Sequence, residues 1–283
     1  MFERISNGFE LARSSWHVLR QEKQLIVFPI LSGLGCLLVL ISFAIPIAAL
    51  APWDNWWDRN GDWDAPPWFY AVAFAFYFCN YFVIVFCNAA LISCSLMSFN
   101  GQSPTINDGI QAAMSRLPQI FAWALVSATV GVILKIIENA HEKVGEIVSA
   151  ILGTAWTIMT YFVVPVLVVE NVGPFHAISR SMQILRKTWG ESLAGHMRIG
   201  FFILLLCLPG ILLCVLGFVM LATHVLIGAL ILGMGLVYLI SCTVISSALD
   251  VIFLSAVYQF AANQQVAPGF DARVLERAFE PKK

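Results

Sequence analysis

Three times along this chain a short amphipathic segment is followed by an apolar stretch long enough to cross a membrane and return. The amphipathic pieces run from Phe2 to Arg20, from Ile106 to Leu117 and from Phe175 to Trp189. Their apolar residues fall at Phe2, Ile5, Phe9, Ala12, Trp16 and Leu19, then at Ile106, Ile110, Ala113 and Leu117, then at Phe175, Ile178, Met182, Leu185 and Trp189. That spacing of three and four places them on one face of a helix, so each segment is expected to lie along a surface. The stretch after each segment is too apolar and too long for a globular core. The expected fold is therefore all-α, a polytopic membrane helix bundle. Six transmembrane helices form three hairpins, each preceded by an interfacial amphipathic helix. One membrane domain, 1–260, is built from units 1–99, 104–170 and 174–260, and residues 261–283 form a cytoplasmic tail.

Composition agrees with a membrane solvent. Hydrophobic residues make up 59% of the chain and charged residues 12%, about half the share typical of soluble domains. All seven cysteines (Cys36, Cys79, Cys87, Cys94, Cys207, Cys214 and Cys242) lie in apolar stretches without a C-x-x-C pair, which argues against a disulfide framework or a zinc site. The first apolar run begins at Leu25, and Pro52 directly follows its one A-x-A-like site, so the run is expected to stay as an anchor.

Spans are expected near 25–51, 68–98, 119–137, 147–169, 199–222 and 225–249, each meeting the roughly 20 residues that a 30 Å hydrocarbon core requires. With this arrangement Arg4, Arg13, Arg20, Lys23, Arg116, Arg180, Arg186, Lys187, Arg198, Arg273, Arg277, Lys282 and Lys283 share one side. Only Arg59, Lys135 and Lys143 fall on the other. Basic residues are retained in the cytoplasm, so both termini are expected there. The stretch 199–260 is nearly unbroken and accommodates either two long helices or three short ones, with Pro209-Gly210, Thr223-His224 and Gly233 to Gly235 as possible breaks. The basic tail favours two.

Several features invite a functional reading. The outward loop interleaves Trp53, Trp56, Trp57, Trp63 and Trp68 with Asp54, Asp58, Asp62 and Asp64, the composition of a membrane-interface belt. Asp58, Asn60 and Asp62 begin like a calcium loop, but Trp63 stands where glycine is needed and Phe69 where a bidentate glutamate is needed. His141-Glu142 begins like a zinc-protease helix, yet Gly145 occupies the position of the second histidine. No metal or cofactor is expected. Gly145, Ser149, Gly153 and Thr157 recur every four residues as a packing stripe. Pro165 and Pro209 are expected to kink their helices. Asn80 and Asn88 should hydrogen-bond across helices, and Asp250 reaches the inner interface if its helix begins near Val225. Glu170 can pair with Arg180 or Arg186 and fix the adjoining surface helix.

At Val163 to Glu191, with Pro165, Glu170, Ala177, Arg180-Ser181, Leu185 and Trp189, the chain resembles uncharacterised six-helix bacterial membrane families. It is also distantly similar to the membrane domain fused to some glycerophosphodiester phosphodiesterases. Ala12 to Trp16 with Leu19-Arg20, and the tail from Phe270-Asp271 through Leu275 to Ala278-Phe279, fit the same pattern. The resemblance implies a bacterial inner-membrane protein and no settled activity. Gly8-Phe9 aligns with Pro174-Phe175, Ser15-Trp16 with Ser181-Met182, and Leu19-Arg20 with Leu185-Arg186.

No nucleophile constellation, phosphate-cradling loop or compact basic patch is present, so neither an enzyme nor a nucleic-acid binder is expected. The reading is a membrane protein that organises lipids or partner proteins, including further copies of itself, through a basic cytoplasmic collar. Arg13, Arg20, Lys23, Arg116, Arg180, Arg186 and Lys187 are the candidate contacts to anionic lipid. The competing reading is a small transporter or channel with a polar path near Asn80, Asn88 and Asp250.

Overall fold

A computed structural model describes residues 13–50, 66–140, 144–188, 192–268 and 270. Residues 13–21 are helical (α1) and lead through a 3-10 turn, Lys23–Ile26, into α2, Val27–Leu50. Beyond it come α3 (Pro67–Phe99), α4 (Ile106–Ser115), α5 (Leu117–Ala140), α6 (Val144–Met159), α7 (Val163–Glu170), α8 (Pro174–Thr188), α9 (Ser192–Leu221) and α10 (Val225–Asn263). The described residues contain helices and turns but no strand. The start of the first amphipathic segment, residues 53–64 of the tryptophan-rich loop, His141-Glu142, Trp189 and the basic tail from Arg273 lie outside the described residues.

Among the described residues, five helical stretches are long and apolar enough to cross a membrane: Lys23–Ala49, Trp68–Phe99, Leu117–Glu138, Val144–Glu170 and Val225–Asn263. A shorter apolar stretch, Leu206–Leu221, belongs to α9. The chain is thus an all-helical, membrane-embedded protein. Pro67 opens α3 and Pro174 opens α8, where a helix needs no amide donor, whereas Pro46 lies inside α2 and Pro209 inside α9.

Two expectations about helix shape are corrected. The fourth apolar stretch is not one kinked helix. A turn at Thr160 to Phe162 separates α6 from α7, and Pro165 occupies the third position of α7. In a continuous helix the Pro165 ring would strike the Tyr161 carbonyl and offer it no donor, whereas a first turn has no such bond to lose. The last span does not stop at 249. α10 runs unbroken for 39 residues, about 58 Å, with Gly233 and Gly235 inside it, so residues 199–260 form two helices joined at 222–224.

Along α10 the surroundings change. Large apolar side chains are exposed from Val225 to Ile240, whereas Ala248, Leu249, Val251, Ile252, Phe253 and Ser255 through Gln259 are buried. The first stretch faces solvent, which in a membrane is lipid, and the second belongs to a protein core.

The described contacts form two compact units that interleave along the chain: Met1–Pro29 with Cys94–Ile106 and Ile184–Lys283, and Ile30–Ser93 with Asn107–Gln183. In the first, the Lys23–Ile26 turn packs on α10, the rings of Phe99 and Phe270 meet edge-on at 6.2 Å, and α9 lies antiparallel to α10. In the second, Trp123 of α5 stacks on Trp156 of α6 at 5.8 Å, and Phe78 of α3 meets Phe121 of α5 at 5.0 Å.

Left-handed backbone among the described residues is confined to Gly101, Asn171 and Gln264. Asn171 and Gln264 cap α7 and α10, and Gly101 lies two residues beyond α3. A proline comes after each within four residues, at Pro104, Pro174 and Pro268. A left-handed residue turns the chain off the helix axis, and proline prevents the helix from resuming at once.

Candidate functional site: a polar clasp and a basic helix face

α7 is an eight-residue helix, and side chains from α8 and from the α4–α5 junction hold both of its ends. At its start, the Phe162 amide has left the α6 ladder and donates to Ser181 Oγ at 3.1 Å. Ser181 is fully buried, so the bond satisfies two groups that water does not reach. At its end, Arg180 Nε donates to Glu170 Oε1 at 2.9 Å and Oε2 at 3.2 Å. The two side chains are 31% and 24% exposed, which shelters the pair from part of the solvent screening.

The α4–α5 junction completes the clasp. Arg116 Nε donates to the Val168 carbonyl at 3.1 Å, one of the four carbonyls that a helix end leaves without a partner. Gln119 Nε2 donates to Asn171 Oδ1 at 2.8 Å, holding the left-handed cap. Ala177 of α8 is fully buried, as are Val163, Val166 and Leu167 of α7. The structure therefore brings Glu170 and Arg180 together and turns Arg116 toward the protein, so neither arginine offers its Nε to a lipid.

The remaining candidates face outward. Arg13, His17 and Arg20 of α1 are exposed together with Trp16, and Lys23 and Gln24 continue this face into the adjoining turn. Ser15, Val18, Leu19 and Leu25 on the other side are buried. An exposed row of cations beside an indole is the side-chain set suited to a headgroup layer. Arg186 of α8 is also exposed, whereas the side chain of Lys187 lies outside the described set.

One polar residue on an apolar helix departs from expectation. Asn80 does not reach across to another helix through the bond it makes: its Nδ2 donates to Phe76 O, four residues back on α3, at 2.9 Å. Asn88 is half-buried two turns further on. Hydroxyls behave as Asn80 does. Ser93, Thr129, Thr154, Thr157, Ser241 and Ser255 each donate to the carbonyl four residues earlier, so these hydroxyls are satisfied by their own backbone. Asp250 is half-buried, ten residues past the last large exposed apolar residue of α10, or about 15 Å along the axis. It lies in the protein-buried part of that helix.

Sequence reasoning missed a glycine seam. Gly210 and Gly217 on α9 and Gly228 and Gly235 on α10 are each seven residues apart. A Cβ on Gly217 would stand 2.5 Å from Leu232 N, and one on Gly228 would stand 2.5 Å from Leu221 N. Only hydrogen fits there. The seven-residue spacing was the available signal, since it marks one helix face. Of the expected stripe on α6, Gly145 and Ser149 pack against α5, where a Cβ on Gly145 would meet Ile137 O at 2.5 Å and Ser149 Oγ donates to Leu134 O at 3.1 Å, whereas Thr157 is exposed.

These apolar helices and their clasp coincide with a family match over residues 68–268. The chain belongs to DUF6159, a family of unknown function. No curated protein and no solved structure matches it. The DUF6159 match takes in α3 through α10, and so contains both the clasp and the glycine seam, while the basic face of α1 precedes it.

Proposed function

We propose that this protein is a non-enzymatic scaffold of the bacterial inner membrane, built from three repeated units with six spans and both termini cytoplasmic. It organises lipids or partner proteins through a basic inner surface. The observation that carries this reading is the segregation of residues 13–25, with Arg13, Trp16, Arg20 and Lys23 exposed on one side and Val18, Leu19 and Leu25 buried on the other. The repeat is supported by the left-handed residue with a proline soon after it beyond α3, α7 and α10, and the sixth span by the 30-residue length of α9. The resemblance of the run from Val163 is the ground for proposing a fold distantly similar to the membrane domains fused to some glycerophosphodiester phosphodiesterases.

The scaffold is favoured over a transporter because Asn80 and several membrane hydroxyls spend their donors on their own helices. Each cation near an anionic surface contributes about 1 kcal/mol, so several act together. The test reconstitutes the full chain in nanodiscs of mixed zwitterionic and anionic phospholipid and measures the anionic lipid retained. Replacing Arg13, Arg20 and Lys23 with glutamine should lower that retention at least several-fold, while Lys135→Gln on α5 should leave it unchanged. Equal retention in all three preparations would overturn the reading.

A further inference from the structure

α9 and α10 keep one antiparallel register along their seam. Gly217 meets Leu232, Cys214 meets Gly235 and Gly210 meets Leu239, so that a Cβ on Gly235 would stand 2.7 Å from Cys214 Sγ and one on Gly210 would stand 2.8 Å from Leu239 Cδ2. One further step along the same faces, three residues back on α9 and three forward on α10, sets Cys207 opposite Cys242. Their thiols hydrogen-bond to each other, and Cys242 also hydrogen-bonds with the Tyr238 hydroxyl. That hydroxyl donates its hydrogen to Leu206 O at 2.9 Å, so its oxygen accepts from Cys242, and the Cys242 sulfur accepts from Cys207. Two sulfurs distant in sequence are thus held against each other. Cys242 is buried, whereas Cys207 is half-buried between the exposed Leu206 and Leu208.

We propose that Cys207 and Cys242 form a reversible disulfide across the α9–α10 seam, with a membrane quinone as the oxidant. A disulfide requires two backbones that approach closely with their side chains turned toward each other, and the glycine seam and the thiol contact supply both. Both S–H bonds break and one S–S bond forms, while the two hydrogens and two electrons pass to the two quinone oxygens and give a quinol. The surroundings select this class of oxidant. Cys207 lies within the apolar stretch Leu206–Leu221 of a membrane-embedded chain, so whatever reaches it must dissolve in hydrocarbon. Thiols, quinone, disulfide and quinol are all uncharged, so the exchange leaves no bare ion in a medium where an ion is costly. The bond joins the two helices covalently beside the Tyr238–Leu206 hydrogen bond, which makes the seam sensitive to the redox state of the membrane. The inference does not depend on the basic face of α1, since it concerns thiols and not headgroups.

The test uses the full chain in nanodiscs, reduced, freed of reductant and then exposed to decylubiquinone under argon, with water-soluble diamide as a parallel arm. Peptide mapping without reductant should find Cys207 linked to Cys242, with quinol formed in equal amount, and dithiothreitol should restore both thiols. Cys207→Ser and Cys242→Ser should each abolish quinol formation, while Cys36→Ser should leave it unchanged. The linked peptide is read in the wild-type chain, so the result does not hang on the folding of a variant. Both thiols remaining free, a disulfide from Cys207 to any other cysteine of the chain or of a second copy, or a bond formed by diamide but not by the quinone would each overturn the proposal.

Discussion

The α9–α10 pair and the α5–α6 pair bring two apolar helices together by different means. In α9–α10 the contact is backbone against backbone: Gly217 meets Leu232, Gly228 meets Leu221, and Gly235 meets Cys214, with the partners stepping backward on one helix as they step forward on the other. Tyr238 adds a hydrogen bond from its hydroxyl to Leu206 O at 2.9 Å. In α5–α6 the helices touch closely near Gly145, but Gly153 stands off, with a Cβ there reaching only Leu134 Cδ1 at 3.8 Å. Stacked Trp123 and Trp156 fill the wider gap, and the second helix then breaks before α7. A continuous glycine seam suits two unbroken helices. A pair that diverges needs large side chains at its open end and a separate device, the clasp from α8, to hold the half-helix beyond it.

The contrast can be broken most forcefully at the seam. Gly217→Ala or Gly228→Ala places a methyl carbon against backbone nitrogen, so the helices must separate along their length. A loss of about 3 kcal/mol is expected, the upper part of the usual overpacking range, measured as a lowered unfolding midpoint in detergent. Gly153→Ala on α6 should change the midpoint little, because its new methyl makes ordinary contact. Similar losses at Gly153 and Gly217 would show that the two pairs are closed alike.

The clasp comes next in size. Arg180→Ala removes a charge-assisted bond from a partly exposed pair and leaves Glu170 without that partner, an expected cost of about 1–2 kcal/mol. The effect should be local, with faster amide hydrogen exchange across Val163 to Glu170 and unchanged exchange in α9 and α10. A uniform loss of protection would mean that the pair supports the whole bundle. Ser181→Ala should have the smallest effect of the three, about 1 kcal/mol, by stranding the Phe162 amide. Its signature is faster exchange at Phe162 itself.

Apolar run length places nearly all of the helices, because a chain that must satisfy its backbone in hydrocarbon has few alternatives to a helix. The pairing of Glu170 with a basic residue of α8 is also readable, since Glu170 ends an apolar run and Arg180 lies on the amphipathic helix that follows it. Other features are hidden for physical reasons. Gly233 and Gly235 resemble breaks because a glycine in sequence carries no sign of whether it ends a helix or admits a neighbour. Arg116 resembles a lipid contact because its acceptor, the Val168 carbonyl, becomes available only once α7 ends at Asn171. Pro165 announces an irregularity, but the turn lies three to five residues earlier, where the Phe162 amide takes Ser181 Oγ as its acceptor.

The length of α10 has a mechanical consequence. One rigid rod carries both a lipid-facing end and a protein-enclosed end, with no hinge between Val225 and Asn263. A thinner bilayer tilts a long apolar helix, and a rod tilted at one end swings at the other. Tyr258 and its neighbours lie at the enclosed end of a helix whose other end exposes large apolar side chains, so a tilt imposed at that end would be felt in the packing around them.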